Sequence, residues 1–120
     1  MSEKEITSRL IKTPVELSEK AAGHKIFCVI LSQENCGPCK AMYPVMSALM
    51  AENLGVEFGY VNLSESAGEF AAFLDEHEVK SVPRIMIFSA GQLQKHFTGA
   101  QRKEDIQKAI DIAKSKGEKE

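Results

Sequence analysis

Cys36 and Cys39 are separated by Gly37 and Pro38, a spacing at which two thiols close a small disulfide with little movement of the chain. Ahead of them, Ile26 to Leu31 is an unbroken apolar run. Behind them, Met42, Val45, Met46 and Leu49 recur at i, i+3, i+4 and i+7, one stripe of a helix. The pair therefore lies where a strand gives way to a helix, with Cys36 at the helix N-terminus. Unpaired backbone amides and the positive end of the helix dipole favour a thiolate there. The thiolate, not the thiol, is the nucleophile. Gly37 lets the backbone turn tightly, and Pro38 suits the first helical turn. The chemistry this predicts is attack by Cys36 on a disulfide, followed by attack of Cys39 on Cys36 to release the reduced product. The cycle needs an outside reductant but no bound cofactor and no metal.

Two blander readings stand beside this one. A structural zinc site needs four ligands, and the pair supplies two; His24 and Cys28 are the nearby candidates, without zinc-finger spacing. Two unreactive core cysteines are the other, against which the Gly-Pro turn between them argues. Cys28 is different. It lies in the middle of the apolar run, where cysteine behaves as a small hydrophobe, and a buried, inert thiol is expected.

The elements that position the pair can be read along the chain. Its 120 residues suit one domain spanning 1–120, and 43% apolar with 27% charged residues is an ordinary globular balance. Ile6 to Ile11 is a weak candidate strand. Thr13, Pro14 and Glu16 mark a helix start with a capping box, and Gly23 its end. Lys25 to Leu31 lacks two-residue alternation and so suits a strand buried on both faces. Pro44 sits inside the next helix and should kink it by removing one amide donor, and Gly55 closes that segment. Val56 to Leu63 forms a strand, and Phe70, Phe73, Leu74 and His77 form a helical stripe. Ile85 to Phe88 and Leu93 to Phe97 make a hairpin across Ala90, Gly91 and Gln92. Ile106, Ala109, Ile110 and Ala113 stripe a last helix, with Arg102 and Lys103 set against its dipole, and Lys114 to Glu120 is a polar tail expected to fray. The order is β-α-β-α-β-α-β-β-α, an α/β fold with a central mixed sheet flanked by helices.

Net charge is −2, and no basic stripe with interleaved aromatics occurs, so nucleic acid is not an expected partner. The longest apolar run is far too short to span a bilayer, and no apolar stretch follows the polar first residues. A cytoplasmic monomer without membrane contact is the expectation. Three cysteines are too few for a stapled secreted scaffold, and in a reducing compartment a close pair reads as catalytic, redox-sensing or metal-binding.

In these motifs the chain resembles the thioredoxin family. Cys36-Gly37-Pro38-Cys39-Lys40 followed by Pro44 is the family's redox segment, and Val82-Pro83 matches its cis-proline. Gly91 and Gly99 match glycines of the last hairpin and of the turn before the final helix. The resemblance implies the thioredoxin fold, an exposed nucleophile at Cys36, a buried resolving thiol at Cys39 and a cis bond before Pro83. It implies that Val82 offers its backbone to an extended substrate segment. It also implies protein-disulfide substrates and a reductase or the glutathione system as electron donor. Several residues depart from the pattern. Asn35 replaces the tryptophan of the docking rim, and Ser32 a second aromatic. Ile30 stands where a buried aspartate lies beneath the resolving cysteine, and Tyr60 near that aspartate's lysine partner. Arg84 replaces a threonine after the cis-proline; it either lies near the redox pair and favours its thiolate or an acidic substrate, or is solvated on the far face of its strand. General protein-disulfide reduction leads the functional readings. A partner-dedicated or glutathione-linked protein and a binding domain without turnover are the alternatives.

Overall fold

The computed structural model describes residues 4–118. The apolar run becomes β1 (Ile26–Ser32), buried at all seven positions. It is an inner strand, covered on both faces, because it has no polar face to give to water. β2 (Glu57–Asn62) pairs parallel to it, β3 (Arg84–Ser89) antiparallel on its other side, and β4 (Gln92–Thr98) antiparallel outside β3. The sheet order is β2-β1-β3-β4. Ser89 pairs with Gln92, so the hairpin turn is Ala90 and Gly91, both at positive φ (49° and 86°), as a twist-matched two-residue turn requires.

Alternation along β1 divides the core. Ile26, Cys28 and Ile30 face one layer with Ile85 and Ile87. That layer is closed by α1 (Lys4–Thr7), α3 (Gly37–Glu52) and α6 (Lys103–Glu118), through Ile6, Cys39, Met42, Met46, Leu49, Ile106 and Ile110. Phe27, Val29 and Leu31 face the other layer with Met86 and Phe88. There α2 (Pro14–Gly23) and α5 (Ala71–Glu76) bring Leu17, Ala21 and Phe73, with Phe70 just ahead of α5. A further short helix, α4 (Leu63–Ser66), follows β2 directly. Thr13 caps α2 by accepting the Glu16 amide at 3.1 Å. Glu16 reaches back one residue further than a capping box does, accepting the Lys12 amide at 3.0 Å.

One expectation is corrected. Residues 6–11 are not a strand. Ile6 lies in α1, buried against α3, and its amide donates to the buried Ser47 Oγ at 3.1 Å. Only Leu10 bridges to the sheet, parallel to Tyr60, with the Ile11 amide on Tyr60 O (2.8 Å) and the Tyr60 amide on Arg9 O (3.0 Å). Ile6 and Ile11 serve opposite core layers, as an odd spacing along a strand also would, so the apolar pattern alone does not tell strand from helical turn. The last helix runs through Glu118, into the polar tail, and among the residues whose burial is described its last buried one is Ala113. The basic residues at its start have partners: Arg102 pairs with Asp105 (3.1 Å) and Lys103 with Glu52 of α3 (2.7 Å).

Candidate functional site

Cys36 occupies the N-cap of α3, the place where a serine or aspartate oxygen more often sits. Its Sγ accepts the Cys39 backbone amide at 3.2 Å. An amide aimed at sulfur is the contact that stabilises a thiolate once the bond to Cys39 is opened. The two cysteines are joined as a disulfide, with Cα atoms 5.3 Å apart. Cys36 keeps 8% of its surface in contact with solvent, while Cys39 is fully covered. The Val82–Pro83 bond is cis, and the Val82 carbonyl lies 4.0 Å from Cys36 Sγ. Pro83 O accepts the amide of Gly99, at φ 86°, which fastens this loop to the far end of β4. Gln33, Asn35, Gly37, Pro38 and Val82 surround Cys36 in an open groove of about 590 Å3, whose other wall includes Leu63, Leu74, Val79 and Lys80. Asn35 sits at φ 58°, a left-handed conformation that asparagine tolerates better than most residues and tryptophan does not favour.

Of the residues singled out in the sequence, Cys36, Cys39, Asn35, Gly37, Pro38, Val82 and Pro83 come together here. Ile30 lies in the same core layer as Cys39, fully buried, between Tyr60 on β2 and Ile85 on β3. Tyr60 is held near 12, chiefly by burial and then by its hydrogen bond with Tyr43. It stays a neutral phenol at neutral pH and does not serve there as a base. Beside it, Tyr43 packs edge-on at 5.6 Å and shares a hydrogen bond of 2.9 Å with the buried Ser32 Oγ. Sequence reasoning missed this hydroxyl pair. Its signal is the lone serine closing an otherwise apolar strand, which needs a buried partner.

Arg84 lies neither beside the redox pair nor in solvent. It points to the face of Met86 and Phe88, opposite Ile85 and the cysteines, and only 7% of it is exposed. Its Nη1 and Nη2 donate to the carbonyls of His77 (3.4 Å) and Glu78 (3.3 Å), and Nε has no partner. These carbonyls end α5 in a turn whose form explains the choice. Glu78 is left-handed at φ 52°, the Val79 amide returns to Leu74 O (2.8 Å) and the Glu78 amide to Asp75 O (3.1 Å). That is a Schellman end with glutamate in glycine's usual place, so nothing in the sequence announces it. A cation at a helix C-terminus favours the arrangement. Arg84→Met should change global stability by no more than about 1 kcal/mol, since a buried charge leaves along with two long hydrogen bonds. Amide exchange at Glu78 and Val79 should accelerate at least about tenfold; unchanged protection there would refute the tie.

Cys28, buried and unpaired, has its thiol pushed up to about 12 by desolvation. The folded chain holds this proton where an unfolded chain releases it. Stability is therefore unaffected below the ordinary thiol value and falls as pH rises from about 9 toward 12, by about 1.4 kcal/mol per unit. Tyr60, raised in the same sense from a higher starting value, adds to the fall only above about pH 10. Urea unfolding at pH 8 to 10 should show a shallower pH slope in Cys28→Ala than in the wild type. Equal slopes would mean that Cys28 is not sealed from water.

The sheet, the cis-proline loop and the cysteine pair with two residues between them define a thioredoxin-type fold that carries a CxxC disulfide. The family model described as Thioredoxin matches residues 11–112, and the chain belongs to the thioredoxin family. It is 32% identical to human thioredoxin over 100 residues, covering 83% of this chain and 90% of that protein. It is 36% identical over 72 residues to human thioredoxin domain-containing protein 8, covering 60% of this chain, and spans about half that relative's length (54%). Oxidised mitochondrial thioredoxin 3 of Saccharomyces cerevisiae shares the fold, with a TM-score of 0.78 at 23% identity over 93% of this chain and 99% of that one.

Proposed function

We propose that this chain, acting as a single-domain monomer, reduces disulfide bonds in protein substrates by cycling Cys36 and Cys39 between dithiol and disulfide. The observation that carries the reading is the asymmetry of the pair: Cys36 Sγ sits at the helix cap on an open groove, and Cys39 is covered behind it. The Cys36 thiolate attacks one substrate sulfur, the substrate S–S bond breaks, and the departing thiolate takes a proton from solvent. Cys39 then loses its proton and attacks Cys36 Sγ, and the second substrate thiolate leaves. Two electrons pass to the substrate, and the pair is left as the disulfide seen here. Val82 offers its backbone to the extended substrate strand beside Cys36, a short form of β-augmentation.

A reductase or glutathione resets the pair. Asn35, which lines the groove beside Cys36 in place of an aromatic, favours a narrow set of partners, whereas Ser32 is buried on Tyr43 and forms no part of that rim. A reducing compartment such as the cytoplasm suits a chain whose third cysteine is unpaired and buried. The test is thiol release from a disulfide-bridged peptide by the reduced protein. Regeneration is then compared between NADPH with thioredoxin reductase and NADPH with glutathione and its reductase. Catalytic release with either donor is expected; release no faster than with the donor alone would refute the reading.

A further inference from the structure

The groove beside Cys36 does not end at the cis-proline loop. Leu74, Val79 and Lys80, which wall it, also wall a second open depression of about 660 Å3. This depression continues over α5 across Ala71 and Ala72 to Asp75 and Glu78. The Schellman turn produces the continuity. By bringing Val79 back onto Leu74 it makes one apolar ridge shared by both hollows. Small residues on the outer face of α5 leave room above that ridge, and the carboxylates stand at its far side.

The charge of this arm is one-sided. Residues 63–81 hold Glu65, Glu69, Asp75, Glu76 and Glu78 against Lys80 alone, so they carry more negative charge than the whole chain nets. Among the described residues, the ion pairs of the molecule lie elsewhere, on Glu57, Asp105 and Glu52. The carboxylates of the arm are thus in none of these ion pairs, and Arg84, the cation packed beneath the end of the arm, donates to the backbone carbonyls of His77 and Glu78 rather than to them. Exposed and unpaired beside an apolar ridge, they complement a cationic segment and repel an anionic one.

We propose that the α5 depression extends the substrate groove and receives the basic flank of a protein disulfide. The occupant is an extended segment that places its cystine at Cys36, an apolar side chain on the Leu74–Val79 ridge and a lysine or arginine by Asp75 and Glu78. This rests on the disulfide-reducing reading of Cys36 and adds to it the class of substrate. Lys80, at the junction of the two hollows, is outnumbered; it sets where along the segment the cation falls.

Three disulfide-bridged peptides decide the matter, identical except for two flanking positions that are lysine, serine or glutamate. Each kcat/KM is divided by the rate constant of the same peptide with dithiothreitol, which removes the peptide's own bias. At about 20 mM ionic strength the lysine peptide should exceed the glutamate peptide about tenfold, with serine between. In 0.5 M salt the ratio should shrink to about two or less. In Asp75→Asn/Glu78→Gln, checked for folding by circular dichroism, the low-salt ratio should fall to about threefold. Equal values for all three peptides, or a lysine preference untouched by salt or by the double variant, would overturn the docking proposal and leave the redox reading standing. Failure to reduce any of the three would overturn the redox reading, and the proposal with it.

Discussion

Cys36→Ser should lower turnover of a disulfide peptide at least about a thousandfold, whereas Cys39→Ser should stop the same reaction one step later, with the substrate covalently held. The difference follows from position. Cys36 is the sulfur at the helix cap, with an amide aimed at it and an open groove in front. Its serine replacement keeps the hydrogen bond but has no nucleophile at neutral pH. Cys39 is fully covered, so an incoming disulfide has no approach to it. In Cys39→Ser the first attack proceeds, and the mixed disulfide then waits for an external thiol. Intact-mass measurement should show a stoichiometric substrate adduct in Cys39→Ser that dithiothreitol removes, and none in Cys36→Ser. Brief alkylation of the reduced wild type near pH 7 should mark Cys36 first, with Cys28 unlabelled until the chain unfolds. Turnover by Cys36→Ser, or an adduct on Cys39, would invert the roles.

Much of this site was legible because its signals are local. The Gly-Pro pair between the cysteines fixes a turn, the apolar run before them fixes the inner strand, and Val82-Pro83 fixes the opposing loop by resemblance. Local patterning also gave the β3–β4 hairpin. What escaped depends on contacts distant in sequence. Ile6 has a β-former's side chain, yet Ser47, 41 residues away, holds its amide in a helical turn. Arg84 looked like a surface or active-site cation, because nothing in its neighbourhood shows that two α5 carbonyls would receive it. The glutamate at the left-handed end of α5 conceals the turn a glycine would have announced. That turn shapes the outer wall of the groove, so the cysteines could be found from sequence while the surface presented to a partner could not. Ile30 belongs to the part legible by resemblance: its match to the family's position beneath the resolving cysteine agrees with its place in the layer of Cys39, and its chemistry there can be tested.

Ile30→Asp should cost about 4 kcal/mol or more at neutral pH and should also change how Cys39 loses its proton. The first effect combines a lost apolar side chain with a carboxyl entering a fully covered position. Ile30 sits on the face of β1 that carries Cys28 and packs in the layer of Cys39, between Tyr60 and Ile85, and among the described residues of that layer there is no cation to receive a carboxylate. Burial raises the carboxyl's pKa in the folded chain above its ordinary value of about 4. The unfolded chain then ionises first, so the penalty is smallest below about pH 4 and grows as pH rises toward the folded value. The second effect concerns the resolving step. In the wild type, Tyr60, pushed up to about 12, is not a base at neutral pH, and Ile30 offers none. A carboxyl with a raised pKa is a base suited to neutral pH. Single-turnover release from the Cys36 mixed disulfide should therefore gain a new near-neutral step in its pH profile. A stability loss below about 1 kcal/mol together with an unchanged profile would show that position 30 does not face Cys39. Loss of stability without the new step would mean that the proton already leaves faster than sulfur attacks sulfur, and that the apolar residue here gives a firmer core at no cost in rate.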